Sequence, residues 1–130
     1  MLHHVEIYVS NLDTSKAFWS AILAKIGYTN SSQWEDGFTL SNGEDAYLTF
    51  VQVSKKYESY KYNRRGVGLN HLAFKVGSRD LVDSLRQHCI ENKISLLYDE
   101  KYPFANGDQH YYALFLEDPD RIKVEFVVSG

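Results

Sequence analysis

The chain has 130 residues, 44% of them hydrophobic, which is enough for one well-filled core and too little for two. Its formal net charge is −3, and acidic and basic residues are mixed along the chain, so it lacks the basic footprint of a nucleic-acid-binding protein. No apolar stretch approaches the roughly 20 residues that cross a bilayer, the N-terminal residues do not have the pattern of a signal peptide, and the single Cys89 excludes an internal disulfide. We therefore expect a cytoplasmic protein without membrane or nucleic-acid partners.

The first half of the chain predicts a strand, a helix and three more strands. Residues 4–9 alternate in the manner of a strand, which places His4, Glu6 and Tyr8 on one face. The turn at residues 10–13 supplies an N-cap, and a helix follows to about Ile26, with a buried row predicted at Phe18, Ile22 and Ile26. Three strands separated by Asp-Gly and Asn-Gly turns are then predicted at residues 29–34, 37–41 and 46–53.

The second half repeats this plan. The segment Leu2-His3-His4-Val5-Glu6-Ile7-Tyr8-Val9 returns 67 positions later as Leu69-Asn70-His71-Leu72-Ala73-Phe74-Lys75-Val76. Ser78 is the expected cap of a second helix, whose buried row is predicted at Leu81, Leu85 and Cys89. Strands are predicted at residues 95–99, 109–116 and 122–128. The chain therefore divides into module one (1–53), a linker (54–67) and module two (68–130), each module with the order βαβββ.

The linker is rich in basic and aromatic residues. It contains five Lys and Arg residues against the single Glu58, interleaved with Tyr57, Tyr60 and Tyr62. This composition fits a solvated connection, and it also fits a mobile flap that offers cationic and aromatic contacts to an anionic substrate. Short linkers of this kind also permit two protomers to exchange their halves.

Three residues could together hold a metal ion. His4 and His71 occupy the same position in the two copies of the strand motif, and Glu125 lies among the apolar residues of the last strand. A carboxylate in such surroundings must be paired, protonated or bound to metal. Two imidazoles and one carboxylate are a set that binds a divalent ion on one face and leaves other positions open to substrate. The alternatives are that the histidines fill the polar floor of a cleft, and that Glu125 pairs with the arginines of the linker.

These motifs resemble the vicinal oxygen chelate superfamily, which includes glyoxalase I, fosfomycin-resistance proteins, extradiol dioxygenases and bleomycin-resistance proteins. The resemblance covers residues 2–128 and is nearest to small glyoxalase-like proteins of Bacillus and relatives, through the two histidine motifs and Tyr47-Leu48-Thr49-Phe50-Val51-Gln52. It implies an α+β fold of two tandem βαβββ modules that form an open half-barrel, a homodimer, and a site for Fe²⁺, Mn²⁺, Ni²⁺ or Zn²⁺.

Individual positions depart from the activities that the resemblance names. Glyoxalase I implies a fourth ligand from the first module, and alignment of the modules puts Thr49 there. Extradiol dioxygenases imply a Tyr and a His before the final Glu, where this chain has Phe115 and Asn106. Fosfomycin-resistance enzymes imply a basic residue beyond that Glu, which is not expected here because Gly130 follows Glu125 by five residues. No single known reaction matches.

The remaining candidate site residues follow from strand phase. Glu6 shares the face of His4 and is the candidate general base, with a place on the rim as its alternative. His3 has the opposite phase and is expected to point away. Contacts to a small-molecule substrate are expected from five further residues, which are Tyr8, Thr49, Gln52, His110 and Tyr112.

Two functions are compatible with this sequence. The first is a glyoxalase-like metalloenzyme, of lyase, transferase or dioxygenase type, that binds a small substrate through vicinal oxygens at the divalent metal. The second is a metal-free protein that sequesters a hydrophobic or aromatic molecule, as bleomycin-resistance proteins do. The retained ligand trio favours the first, and Thr49 in the fourth-ligand position favours the second.

Overall fold

The computed structural model describes residues 1–129, and the chain divides into two compact units between Lys61 and Tyr62. This division falls inside the predicted linker. The predicted end of module two at residue 130 lies outside the described residues. Each unit is built around its own four-stranded sheet and one α-helix.

The first unit has the predicted order of elements. They are β1 (His4–Val9), α1 (Leu12–Ala24), β2 (Thr29–Trp34), β3 (Gly37–Ser41) and β4 (Tyr47–Gln52). The sheet order is β1-β4-β3-β2, with β1 parallel to β4 and the other pairs antiparallel. A parallel pair needs a long connection, and α1 together with the β2–β3 hairpin supplies it.

The second unit has the same topology. Its elements are β5 (His71–Lys75), α2 (Arg79–Glu91), β6 (Leu96–Leu97), β7 (Tyr111–Glu117) and β8 (Lys123–Ser129). The sheet order is β5-β8-β7-β6, again with the first pair parallel. Strand β6 is only two residues long because a 3₁₀ turn at Asp99–Lys101 follows it closely. The prediction of an α+β fold made of two tandem βαβββ modules is confirmed.

Both helices begin at the predicted caps. The Asn11 side chain accepts a hydrogen bond from the Thr14 N–H at 3.0 Å, and the Ser78 hydroxyl accepts one from the Leu81 N–H at 3.1 Å. Each cap satisfies one of the amides that a helix leaves unpaired at its start. Within residues 1–129 no helix has the length and apolar character needed to span a membrane.

The helix faces that enter the two cores differ slightly from the prediction. On α1 the fully buried side chains include Trp19, Ile22 and Leu23, whereas Phe18 and Ile26 are half-buried. The ring of Trp19 packs on Phe50 of β4 at a centroid distance of 5.0 Å. On α2, Leu85 and Cys89 are buried as predicted, but Val82 takes the place expected for Leu81. In each helix the residue one position after a predicted core residue is the buried one, namely Trp19 after Phe18 and Val82 after Leu81.

Candidate functional site

Glu125 is a buried carboxylate at the centre of the second sheet. Its residue is only 2% exposed. Oxygen Oε1 lies 3.1 Å from Nε2 of His71, and Oε2 accepts a hydrogen bond from the Tyr111 hydroxyl. The parallel register of β5 and β8 pairs Ala73 with Glu125, so the His71 side chain two residues earlier shares the Glu125 face. The structure therefore brings together two of the three predicted metal ligands.

Asn70 determines how the His71 ring presents its nitrogens. Its side-chain oxygen lies 2.8 Å from Nδ1 of His71, and an amide oxygen only accepts, so Nδ1 carries the proton. The other nitrogen, Nε2, then faces the carboxylate of Glu125. Two acceptors at 3.1 Å repel each other unless a proton or a cation lies between them. Metal-binding histidines are commonly fixed in this way by a hydrogen bond from the nitrogen that does not bind the metal.

The His71–Glu125 pair has the geometry of two adjacent ligands of one metal ion. Imidazole and carboxylate ligands bind transition ions at roughly 2.0–2.2 Å, which puts neighbouring ligands about 3.0–3.5 Å apart. The observed separation of 3.1 Å is within that range. The residues present thus fit a divalent metal as a half-site. Within residues 1–61 and within residues 62–129, no group of three or more His, Cys, Asp and Glu side chains is arranged to hold a metal ion.

The Tyr111 hydroxyl is the third member of this cluster. Its hydrogen bond to Glu125, together with burial and the negative charge of that carboxylate, raises the pKa of Tyr111 to about 12. Tyr111 therefore stays protonated at neutral pH and remains a donor. One oxygen of Glu125 therefore accepts a hydrogen bond from Tyr111, and the other oxygen faces His71.

The first unit has no equivalent of Glu125. The register of β1 and β4 pairs Glu6 with Thr49, just as Ala73 pairs with Glu125 in the second unit. Thr49 is 6% exposed, and its hydroxyl is hydrogen-bonded to Thr39 at 2.8 Å. A hydroxyl that is already bonded inside the sheet is a poor metal ligand. The alignment of Thr49 with Glu125 that the sequence repeat suggested is thus confirmed at the level of strand register.

His4 lies at the start of β1 and is stacked on an aromatic ring. The His4 and Tyr47 rings are nearly parallel, with centroids 4.7 Å apart. Nδ1 of His4 lies 2.7 Å from Nδ1 of His3, so the expectation that His3 points away is wrong. His3 precedes β1 and does not follow its alternation. In both units the residue before the repeated histidine contacts its Nδ1, and in both units this leaves Nε2 as the other coordinating nitrogen.

The other first-unit candidates differ in their surroundings. Glu6 and Tyr8 lie on the exposed face of β1 with His4, as predicted, and Tyr8 is 66% exposed. In Gln52, by contrast, both the oxygen and the nitrogen of the side-chain amide form hydrogen bonds to the backbone. Its oxygen accepts from the Leu12 N–H and its nitrogen donates to the Ser10 carbonyl, each at 2.8 Å. This side chain ties the end of β4 to the start of α1.

The two second-unit candidates for substrate contact do not share the Glu125 face. Tyr112 pairs with Val128 and lies on the opposite face of β7, where its hydroxyl donates to Asp83 on α2 at 2.5 Å. His110 is an exposed residue in the turn that precedes β7. The tyrosine on the Glu125 face is Tyr111, because β7 pairs with β8 in the register that puts Phe115 opposite Glu125.

The linker arginines do not neutralise Glu125. Arg64 forms its ion pair with Glu117 on β7, which also contacts Arg121 at 3.3 Å. Burial alone would raise the pKa of Glu117, but hydrogen bonds from the two guanidinium groups outweigh it and hold that pKa below its usual range. The alternative in which Glu125 is partnered by the linker is therefore wrong.

Two functional candidates were missed in the sequence. Asn70 could have been found, because it occupies the position before the repeated histidine. Tyr111 could not have been found, because its contact with Glu125 depends on how β7 pairs with β8.

Comparison with known proteins places these features in context. The family model described as the glyoxalase/bleomycin resistance protein/dioxygenase superfamily matches residues 1–126. The uncharacterised protein YqjT of Bacillus subtilis is 42% identical over 129 residues, which are 99% of either chain. A crystal structure of a candidate glyoxalase from Bacillus halodurans is 44% identical, with a TM-score of 0.93 over 98% of this chain and 95% of that one.

More distant structures share the fold alone. The fosfomycin resistance protein FosX of Listeria monocytogenes is 15% identical, with a TM-score of 0.74 over 100% of this chain and 93% of that one. A lactoylglutathione lyase of Agrobacterium tumefaciens is 18% identical, with a TM-score of 0.66 over 98% of this chain and 92% of that one.

Proposed function

Because the chain belongs to the glyoxalase/bleomycin resistance protein/dioxygenase superfamily, we propose that it is a small metalloenzyme acting on a substrate with vicinal oxygens. The observation that carries this proposal is the buried Glu125 with His71 Nε2 at 3.1 Å. A carboxylate buried at 2% exposure beside an oriented imidazole destabilises the fold unless a proton or a cation joins them. A divalent ion would satisfy both groups at once.

His71, Glu125 and His4 are the proposed ligands. His4 is included because it has the position of His71 in the repeated motif and a similar contact to its Nδ1. When bound, the ion would supply Lewis-acid stabilisation of negative charge on the substrate oxygens. Asn70 keeps Nε2 of His71 directed toward Glu125, and Tyr111 holds the second oxygen of that carboxylate.

Glu6 is the proposed proton acceptor. Glu6 lies on the exposed face of β1 together with His4 and Tyr8, and an exposed carboxylate can accept a proton. Tyr8 is the proposed substrate contact of this face. Gln52 and Thr49 are proposed to support the floor of the sheet, since their side chains already bond to the backbone and to Thr39.

A metal-free binding protein is the alternative function, and one observation favours it. Both oxygens of Glu125 have protein partners, so a protonated His71 would complete the cluster without any ion. In that case the site would be a polar anchor for a sequestered small molecule. Removal of metal would then leave ligand binding unchanged.

A homodimer is the proposed assembly. Leu2 and Leu69 occupy equivalent positions before the two histidine strands, and they are 65% and 41% exposed. A second protomer packed on them would remove this apolar surface from water. Light scattering at micromolar concentration should give twice the chain mass, and a monomeric mass would exclude this assembly.

The metal content of the protein tests the proposed function. Protein purified without chelator should carry close to one equivalent of Fe, Mn, Ni or Zn, and the His71→Ala variant should lose it. Loaded protein should then be screened against methylglyoxal–thiol adducts, catechols and epoxide phosphonates. A His71→Ala variant that retains full turnover of the responding substrate would exclude metal-chelate catalysis of that reaction.

A further inference from the structure

A cationic and aromatic pocket adjoins the His71–Glu125 pair within the second unit. The pocket has a volume of about 330 Å³ and is lined by Tyr98, Lys101, Ala105, Asn106, Phe115 and Lys123. Phe115 lies directly opposite Glu125 across β7 and β8, and its ring centroid is 6.5 Å from that of His71. Lys123 is two residues before Glu125 on β8 and therefore lies on the same face. Two lining residues of the pocket, Phe115 and Lys123, thus lie on the same sheet face as Glu125.

Within the described part of the chain, neither of the two lysines that line the pocket forms an ion pair, although Glu117 lies opposite Lys123 across β7 and β8. Lys123 Nζ donates to the Tyr98 hydroxyl at 3.1 Å and lies 4.9 Å from the Tyr98 ring centroid and 5.1 Å from that of Phe115. None of the ion pairs among residues 62–129 includes Lys101 or Lys123. Three surrounding carboxylates are engaged elsewhere, namely Glu117 with Arg64 and Arg121, Asp99 with Arg86, and Glu125 with His71.

Tyr98, which lines the pocket, has an unusual backbone conformation. Its φ of +57° lies in the left-handed region, which non-glycine residues seldom adopt. In this conformation its ring meets the Phe115 ring edge-on at a centroid distance of 5.4 Å. Its hydroxyl also accepts a hydrogen bond from Lys123 Nζ. Backbone conformations of this kind concentrate at binding and catalytic sites, where the surrounding structure holds them in place.

We propose that this pocket binds the anionic group of the substrate, and that the substrate is a small organic acid. Lys101 and Lys123 supply the positive charge, the Asn106 amide supplies a further donor, and Phe115 and Tyr98 supply a surface for a flat or apolar body. A volume of about 330 Å³ is at the small end of the range for ligand pockets, which suits a compact acid better than a large conjugate. The proposal rests on the proposed function, since it places the rest of the substrate beside His71 and Glu125.

Calorimetric titration of the full-length, EDTA-treated protein tests the pocket independently of any metal. The probes are phenylphosphonate, benzoate and the neutral benzamide. Both acids should bind at least 10-fold more tightly than benzamide, and their affinity should fall as salt is raised because exposed charges are screened. Lys101→Gln and Lys123→Gln should each weaken the binding of the acids at least 10-fold. Lys93→Gln, which removes an exposed charge outside the pocket of the same unit, should change it less than 2-fold.

The outcomes separate this proposal from that of the metal site. If metal loading fails but the acids bind with the lysine dependence described, the pocket stands and the proposed metalloenzyme does not. If metal binds at one equivalent but the two lysine variants retain wild-type affinity for the acids, the pocket proposal is overturned alone. Equal affinity for benzamide and the acids, or no heat from either acid up to about 10 mM, would also overturn it.

Discussion

Replacement of Glu125 by glutamine should separate metal binding from fold stability. Glutamine has nearly the same shape and keeps an oxygen that can accept from the Tyr111 hydroxyl, but it removes the negative charge that faces His71. If Glu125 serves a bound cation, the fold should tolerate this change in the absence of metal. The response to metal should then disappear.

Two magnitudes can be worked out, namely the change in unfolding free energy without metal and the rise in Tm that metal causes. A charge-assisted hydrogen bond contributes about 1.5–3 kcal/mol, while desolvation of a buried carboxylate opposes folding by several kcal/mol. These largely offset each other, so the unfolding free energy of EDTA-treated Glu125→Gln should lie within about 2 kcal/mol of wild type. A metal present at 100 times its Kd stabilises wild type by about 2.7 kcal/mol. At roughly 3–5 °C per kcal/mol for a chain of this length, the wild-type Tm should rise by about 8–14 °C.

Thermal unfolding monitored by fluorescence is the assay. Each protein is melted in EDTA and then with excess Mn²⁺, Ni²⁺ or Zn²⁺, and with Fe²⁺ under nitrogen. The control is Glu44→Gln, which removes the same charge from an exposed residue and should keep the full metal-induced rise. A rise in Glu125→Gln equal to that of wild type would refute the reasoning. So would a wild-type Tm that none of the four ions changes.

Three further predictions concern residues around the site and the fold. Asn70→Ala should lower metal affinity about 10–100-fold by releasing the His71 ring, as measured by competition with a fluorescent chelator, while leaving the metal-free Tm almost unchanged. Glu117 has a lowered pKa, so its stabilising contribution is complete above about pH 4.5 and is lost as the pH falls through the folded-state value. The Tm difference between wild type and Glu117→Gln should therefore be constant from pH 7 to about 5 and shrink below about 4.5. Gly37→Ala should destabilise the protein by about 1–3 kcal/mol in urea unfolding, because a Cβ there would stand 2.5 Å from the Trp34 ring. Gly77→Ala, where a Cβ meets nothing within 4 Å, is the matched control.

Each of these predictions has a contradicting result. Unchanged metal affinity in Asn70→Ala would mean that packing alone orients the histidine. A Tm difference for Glu117→Gln that is flat down to pH 3 would mean that its ion pairs do not depress its pKa. Equal urea midpoints for the two glycine variants would mean that the sheet relaxes around the new methyl group.

The sequence by itself determined the fold and its duplication. Strand β1 was predicted at its observed bounds because its residues alternate with period two. Both helix starts were predicted because residues 10–13 and Ser78 offer side chains that cap a helix. The repeat also put Thr49 in the place of Glu125 before any register was known. These features depend on local chemistry or on comparison of the chain with itself. The family resemblance read from the same motifs is confirmed by the match to residues 1–126.

Only the tertiary structure decided which side chains surround Glu125. Residues 113–116 are all apolar and buried, so the sequence of β7 carries no alternation from which the facing of Tyr111 or Tyr112 could be read. The pairing of Phe115 with Glu125 shows that Tyr111, and not Tyr112, lies on the Glu125 face. The pocket lysines likewise come from a 3₁₀ turn and a distant strand, and their presence in one pocket depends on sheet assembly. Side-chain period is a local property, whereas the partners of a buried charge are set by strand register, which forms only when the sheet does.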